Sequence, residues 1–330
     1  MKGKYIQLAV GIAITCLFLF LAYRNLGNLN LGRLLHYPVH YFYVILAVFA
    51  YAVSQWFRAL SWTRGLAPDV PLRKMFASVC MGNGSNMLLP FRMGEAIRII
   101  TISQVKRDYG VVSVNLMLER LLDVTILIVL AVSVAFFVPF ESEVEAKLAV
   151  IRNLMVVGIA VGVAALLLLF RFRARMAASE RTPDFMRKLF GFLGRFAVLR
   201  SPLVIIRTLF YLICSWGCVY LSTVFGLMAV GIYDTTAWAA SLVVIVMTNL
   251  IMLIPSAPGG IGVFQYACIY SLSLFDVQAF QKAILSVLLH LIQYAALLPL
   301  SIYYFMRGEF TLREIYRSVA KRQGARFSER

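Results

Sequence analysis

The sequence predicts an all-α, polytopic integral membrane protein of about eight transmembrane helices, with broken or re-entrant segments near 75–105 and 250–275. Three observations predict it. Hydrophobic residues make up 61% of the 330 residues and charged residues only 14%, which lies outside the range of soluble globular chains. Six apolar runs reach the roughly 20 residues that a helix needs to cover a hydrocarbon core about 30 Å thick. The surplus of Lys and Arg, a net charge of +17, falls between these runs. There it orients loops and meets anionic lipid head groups, and nucleic acid is not expected as a partner.

The six clear runs are 5–23, 41–62, 113–138, 149–170, 208–231 and 281–306. The first follows Lys2 and Lys4 in the charge order of a signal peptide, but no small-x-small pattern follows Ala22, so it reads as a retained span. Two further regions are apolar but interrupted. As a helix, 75–89 would be only about 22 Å long before Pro90 breaks it. The run 237–254 breaks at IPSAPGGIG (254–262) and resumes over 263–274. Splitting this second region into two crossings, with 75–105 entering and leaving on one side, gives eight. Two crossings for 75–105 would give ten.

Basic residues set the expected orientation. The connector 171–207 carries nine basic residues against two acids, and the tail 307–330 carries seven against three. With Lys2 and Lys4 they place both termini in the cytoplasm of a cell with an inner (plasma) membrane. Glu141, Glu143 and Glu145, and the stretch around Asp234, mark the outer face. The expected organisation is a transmembrane domain over 1–306, in two loosely repeated halves of about 1–170 and 208–306. Linker 171–207 joins them and 307–330 forms a basic tail. The linker interleaves Phe172, Phe185, Phe190, Phe192 and Phe196 with its charges, a pattern that fits a helix lying on the inner membrane surface; a solvated basic loop is the plainer alternative. Cys16, Cys80, Cys214, Cys218 and Cys268 all lie in apolar stretches, with no spacing for a disulfide framework or a zinc site. No metal and no cofactor are expected.

The most informative feature is an internal echo between NMLLPFRMGEAIR (86–98) and NLIMLIPSAPGGIGVFQ (249–265). Each begins with an Asn, Asn86 and Asn249, runs to a Pro, Pro90 and Pro255, and continues through Gly to an acid or its amide, Glu95 and Gln265. Backbone amides in hydrocarbon must be hydrogen-bonded, so a helix broken by Pro90 and Gly94, or by Pro255, Pro258, Gly259, Gly260 and Gly262, belongs in buried protein or along a polar cavity. Short interrupted segments in matching parts of two halves point to a transporter's binding site. Arg92, Glu95 and Arg98 recur at spacings of three, and Glu119, Arg120 and Asp123 lie in the third span. Ionisable groups at such depth face a partner or water. The expectation is a polar cavity to which Arg92, Arg98 and Arg120 contribute, with Glu95, Glu119 and Asp123 holding the arginines in place. The alternative sets Glu119 to Asp123 at head-group level.

At these residues the sequence resembles the flippase-like family that shares the transmembrane region of lysylphosphatidylglycerol synthases. The motifs are NMLLPFRMGEAIR, ERLLD (119–123) and PSAPGGIGVFQ (255–265), and the likeness covers about residues 5–306. The resemblance implies a lipid-translocating domain with two broken-helix elements around a cavity. It also implies an amphiphilic substrate with a polar, often phosphorylated, head. No transferase sequence follows Arg307, so aminoacyl transfer is not expected of this chain. Gln265 stands where many relatives carry an acid.

The leading expectation is therefore non-enzymatic movement of an anionic or amphiphilic lipid, or a lipid-linked precursor, between leaflets. Membrane lipids are the expected partners. A nucleotide-binding GxxxxGK[ST] is absent, so a gradient or downstream consumption would drive transport. Two other classes stay open: a lipid-modifying enzyme with Glu95 or Asp123 as general base, and a scaffold that binds a lipid-biosynthesis enzyme through 171–207.

Overall fold

The computed structural model describes residues 2–26, 37–89, 93–105, 108–137, 202–252 and 258–308. All regular structure among them is helical: α1 (Lys2–Leu26), α2 (Tyr41–Ser61), α3 (Leu72–Leu88), α4 (Met93–Ser103), α5 (Tyr109–Phe137), α6 (Pro202–Ala229), α7 (Thr235–Ile251), α8 (Val263–Leu272) and α9 (Ala279–Met306). A π-helical turn, Trp62–Leu66, continues α2, and a 3-10 turn, Pro258–Gly260, precedes α8. The chain is a polytopic membrane protein. Among the described residues, Tyr41–Leu66, Leu203–Ala229 and Ala279–Met306 are long and apolar enough to cross a membrane, and Ala13–Leu26 and Thr235–Ile251 are shorter apolar helices. Large apolar side chains point outward along them, among them Phe42, Ile45, Phe49, Phe210, Ile213 and Ile302. Such a belt is unfavourable in water and ordinary against acyl chains.

The spans 149–170 and nearly all of linker 171–207 lie outside the described residues, as do Pro90, Arg92, Pro255 and the tail from residue 309.

Two opposed hairpins organise the interior. α2 and α6 run antiparallel: the His40 amide donates to the Ala229 carbonyl at one end, and Gly65 packs on Thr208 at the other. The Tyr37 hydroxyl and the Gln281 amide both donate to the Val230 carbonyl, so the start of α9 belongs to the first of these ends. That end, called acidic for Asp234 and Asp276, also carries Arg24 and Lys282. The second, basic, end carries Arg64, Arg73, Lys74 and Arg307, and there Ala77 and Met81 pack against Tyr304 and Phe305.

α3 and α4 form a hairpin that starts and finishes at the basic end, where Met75 and Val79 share a core with Ile102, Trp62 and Leu66. This is the re-entrant arrangement expected for 75–105. α7 and α8 form a second hairpin from the acidic end, where Ala237, Ala240, Cys268 and Leu272 share a core with Leu227 and Leu285. Here the arms are unequal. At 10 residues, α8 extends about 15 Å, half the hydrocarbon core, so the hairpin turns at mid-depth, and the two crossings expected of 237–274 are corrected to a second re-entrant pair. The hairpin tips meet in the middle: the Tyr294 hydroxyl on α9 donates to the Met87 carbonyl at 3.3 Å, and a Cβ on Gly259 would lie 2.9 Å from that same carbonyl.

Gly82 and Gly94 let the arms of the first hairpin touch. A Cβ on Gly94 would run into the Gly82 carbonyl, and one on Gly82 into the Arg98 stem. In the second hairpin, Gly259, Gly260 and Gly262 have φ of 70°, 72° and 86°, a left-handed backbone that other residues adopt only at a cost.

Candidate functional site

Where the tips meet there is a cavity of about 600 Å³. Its wall is rich in carboxamides: Gln55 from α2, Asn83 and Asn86 from α3, Asn249 from α7 and Gln293 from α9. The Asn83 amide donates to Gln55 Oε1 at 2.7 Å, and Gln55 in turn donates to the Ser54 hydroxyl at 2.9 Å. Asn86 Oδ1 accepts from the Gly94 amide at 2.7 Å. It thereby caps α4, whose first amides have no partner within the helix.

Behind and beside this wall lies an ionic network. Arg58 of α2 is its hub: Nη1 donates to Glu119 Oε1 at 2.7 Å and to Asp123 Oδ2 at 2.8 Å, and Nη2 to Asp123 Oδ1 at 3.2 Å. Glu119 and Asp123 stand one turn apart on α5, so one guanidinium fork reaches both. Glu119 also accepts from the Trp62 indole at 2.9 Å, and Asp123 from the Trp216 indole at 3.0 Å. Arg98 Nη2 lies 2.8 Å from Glu119 Oε2, with the guanidinium 5.3 Å from the centre of the Trp62 ring. Arg120 bridges Asp123 at 3.2 Å and Glu95 at 3.1 Å. The Arg98 and Arg120 contacts to Glu119 and Glu95 are charge pairs by distance and not aligned hydrogen bonds; Arg98 Nε and Nη1 have no hydrogen-bond partner among the described residues.

Among the described residues the six charges balance, three arginines against three carboxylates. Balance makes their depth tolerable, since an isolated charge would be far costlier than a paired and hydrogen-bonded one. Glu119 and Arg98 are fully buried, so this layer of the cluster lies inside the protein, away from its surface. Trp62, Trp216 and the Arg58 fork orient it, and none of the three was among the sequence-predicted site residues.

The structure brings most of those predicted residues together, with differences. Asn86, Glu95, Arg120, Asp123, Asn249, Pro258, Gly259 and Gly260 line the cavity. Glu119 and Arg98 do not; they form a layer behind it. The expectation that Arg98 lines the cavity is therefore corrected: its stem fills the gap left by Gly82, which draws the guanidinium inward. Gln265 also lies off the cavity wall. Its Oε1 accepts from the Gly262 amide at 2.7 Å, and its Nε2 lies 2.9 Å from His290 Nδ1. Gly262 packs on α1, where a Cβ would come within 2.7 Å of the Thr15 carbonyl. Among the described residues, no group of three or more His, Cys, Asp or Glu side chains is placed to hold a metal ion.

A family model described as the lysylphosphatidylglycerol synthase TM region matches residues 8–301. The chain belongs to that family. The match takes in both hairpins, the Arg58 hub and the α5 acids. Membership gives the chain a membrane-lipid-related role. No curated protein and no solved structure matches the chain.

Proposed function

We propose that this chain moves an amphiphilic lipid or lipid-linked precursor between leaflets, passing its polar head through the cavity while the tails stay in lipid. The observation that carries the reading is the meeting of two opposed hairpin tips at a carboxamide-lined cavity with a charge-balanced arginine and carboxylate cluster. Irregular backbone at that depth is stable only beside protein or water, and carboxamides and paired ions supply what a head group loses on leaving water. Arg120 and Glu95 are the most exposed members of the cluster, with side chains 34% and 29% accessible. Their pairing is unaligned, so a phosphate can replace Glu95 on Arg120 without a buried charge being left unpaired. On this reading the head group is anionic, or carries an anionic group, and the step involves no covalent chemistry. The basic end faces the cytoplasm, as the positive-inside bias requires, in a cell inner membrane.

The test is lipid movement in proteoliposomes, with fluorescent short-chain phospholipids quenched from outside by dithionite. The intact protein is expected to expose the inner-leaflet pool, and Arg120→Glu to slow that exposure at least tenfold while keeping the elution profile of the folded protein. Equal rates for Arg120→Glu and the parent would overturn the cavity reading.

A further inference from the structure

The echo between 86–98 and 249–265 extends in three dimensions to a correspondence that covers the whole site. Counted from the start of each helix, Ser54 is the fourteenth residue of α2 and Ser215 the fourteenth of α6. These two touch, with the Ser215 hydroxyl donating to the Ser54 carbonyl at 2.9 Å. Asn86 and Asn249 each stand two residues before the last of α3 and α7. Glu95 and Gln265 are the third residues of α4 and α8. Arg120 and His290 are the twelfth of α5 and α9, and Asp123 and Gln293 the fifteenth. One unit, α2 to α5, has its hairpin rooted at the basic end. The other, α6 to α9, has its hairpin rooted at the acidic end. They are inverted copies, and Ser54 against Ser215 marks where they cross.

This correspondence lays one pair on another. In the first unit, Glu95 on the returning arm of the hairpin meets Arg120 on the following full-length helix at 3.1 Å. In the second, Gln265 on the returning arm meets His290 on the following full-length helix at 2.9 Å. The second pair is uncharged and fully determined. The Gly259 carbonyl can only accept, so the hydrogen lies on His290 Nε2, 3.0 Å away. His290 Nδ1 is then the acceptor for the Gln265 amide, whose oxygen caps the Gly262 amide. One neutral imidazole, stacked on Phe264 with ring centres 4.6 Å apart, thus ties the tip and the returning arm of the second hairpin to α9.

We propose that Gln265 and His290 are positioning residues of a second gate, the uncharged counterpart of Glu95 with Arg120, and that the two hairpins open the cavity in alternation to opposite ends of the molecule. Each hairpin packs its core at its own end of the molecule, so releasing its returning arm opens the cavity toward that end. The use made of these gates rests on the translocation reading; their positions do not. The asymmetry has a consequence. A charged head group can compete for Arg120 and so act on the first gate directly, whereas the second gate offers no charge to compete for and responds only to the shape of the tip.

Side-specific thiol labelling tests this without a transported lipid. Asn249→Cys places a reporter on the cavity wall of the full chain, and sealed vesicles of each orientation are treated with a membrane-impermeant maleimide, the parent chain serving as blank. His290→Leu is expected to raise reporter labelling at least fivefold from the face of Asp234 and Asp276 and leave the basic face unchanged. Glu95→Gln is expected to do the reverse. Gln265→Ala, which keeps His290 stacked on Phe264, is the companion should His290→Leu fail to fold, and Gln265→Glu, which restores the acid found in the first hairpin, is expected to keep labelling low. Labelling that rises from the same face for both gates, or stays flat in Gln265→Ala, overturns the proposal. Side-specific labelling in a protein that moves no lipid would keep the gates and refute translocation.

Discussion

Glu119 is the residue on which the buried charge depends, and removing its charge has a calculable effect. Its carboxylate is fully buried and takes Arg58 at 2.7 Å, Arg98 at 2.8 Å and the Trp62 indole at 2.9 Å. Glu119→Gln keeps the volume but leaves three arginines facing two carboxylates. Arg58 retains Asp123, so the unpaired charge falls on Arg98, whose remaining nitrogens have no hydrogen-bond partner among the described residues. Breaking a buried pair from one side costs about 3–5 kcal/mol, a hundredfold to several-thousandfold shift in the unfolding equilibrium. Arg98→Met keeps much of the stem against Gly82 and leaves the opposite imbalance, at a similar cost. The double variant restores balance, and because a buried ion pair adds little over an apolar replacement, it is expected to be no less stable than either single variant. Unfolding in mixed detergent micelles, followed by the fluorescence of tryptophans that include Trp62 and Trp216, measures all three. Additive losses, with the double variant as costly as the two singles together, would refute the view that charge balance holds this layer in place.

Arg58→Lys keeps the charge but cannot span Glu119 and Asp123 with one rigid fork; a loss of about 1.5–3 kcal/mol is expected, the range for a hydrogen bond to a charged group, measured by the same unfolding assay. Gly94→Ala drives a methyl group into the Gly82 carbonyl, and backbone cannot yield as a side chain can; the expected loss is about 3 kcal/mol, the upper end for overpacking, seen as a lowered midpoint in the same titration. Gly259→Ala meets both a φ of 70° and the Tyr294 hydroxyl. The backbone term alone is about 1–2 kcal/mol, and slowed lipid movement is expected in addition, since the tip must shift off the Met87 carbonyl.

Much of this site was legible because its parts break rules that membrane helices otherwise keep. Pro and Gly interrupt apolar runs at two places, and Glu119, Arg120 and Asp123 stand where lipid-facing residues would be apolar, so both the hairpins and the α5 acids announce themselves. Arg58 was missed for the opposite reason. It is the one charged residue between Tyr41 and Ser61 and sits near the end of an otherwise clean span, where a single arginine reads as a snorkelling side chain. Its partners lie 61 and 65 positions away in the chain, a distance that no local pattern bridges. An Arg with five apolar or small neighbours, Ala59 to Thr63, still to come before the next basic residue, Arg64, was the available signal. His290 was hidden in the same way, as a polar residue inside a long apolar helix whose partners, Gln265 and Gly259, become neighbours only after the second hairpin folds back.

The inverted arrangement explains why the sequence echo is strong in some places and silent in others. Both hairpins need an Asn near the first tip, glycines at the turn and a polar group three residues into the returning arm, because both must close a broken helix at the same depth; those positions match. The partner of the returning arm has no such constraint, since either a salt bridge or a neutral hydrogen bond to a rigid neighbouring helix will hold it. Arg120 and His290 could therefore diverge in charge while keeping their place. A second charged pair would have put further ions beside the same 600 Å³ cavity, each with a desolvation cost of several kcal/mol. With the neutral pair in the second unit, the ionic groups are concentrated on one side of the cavity.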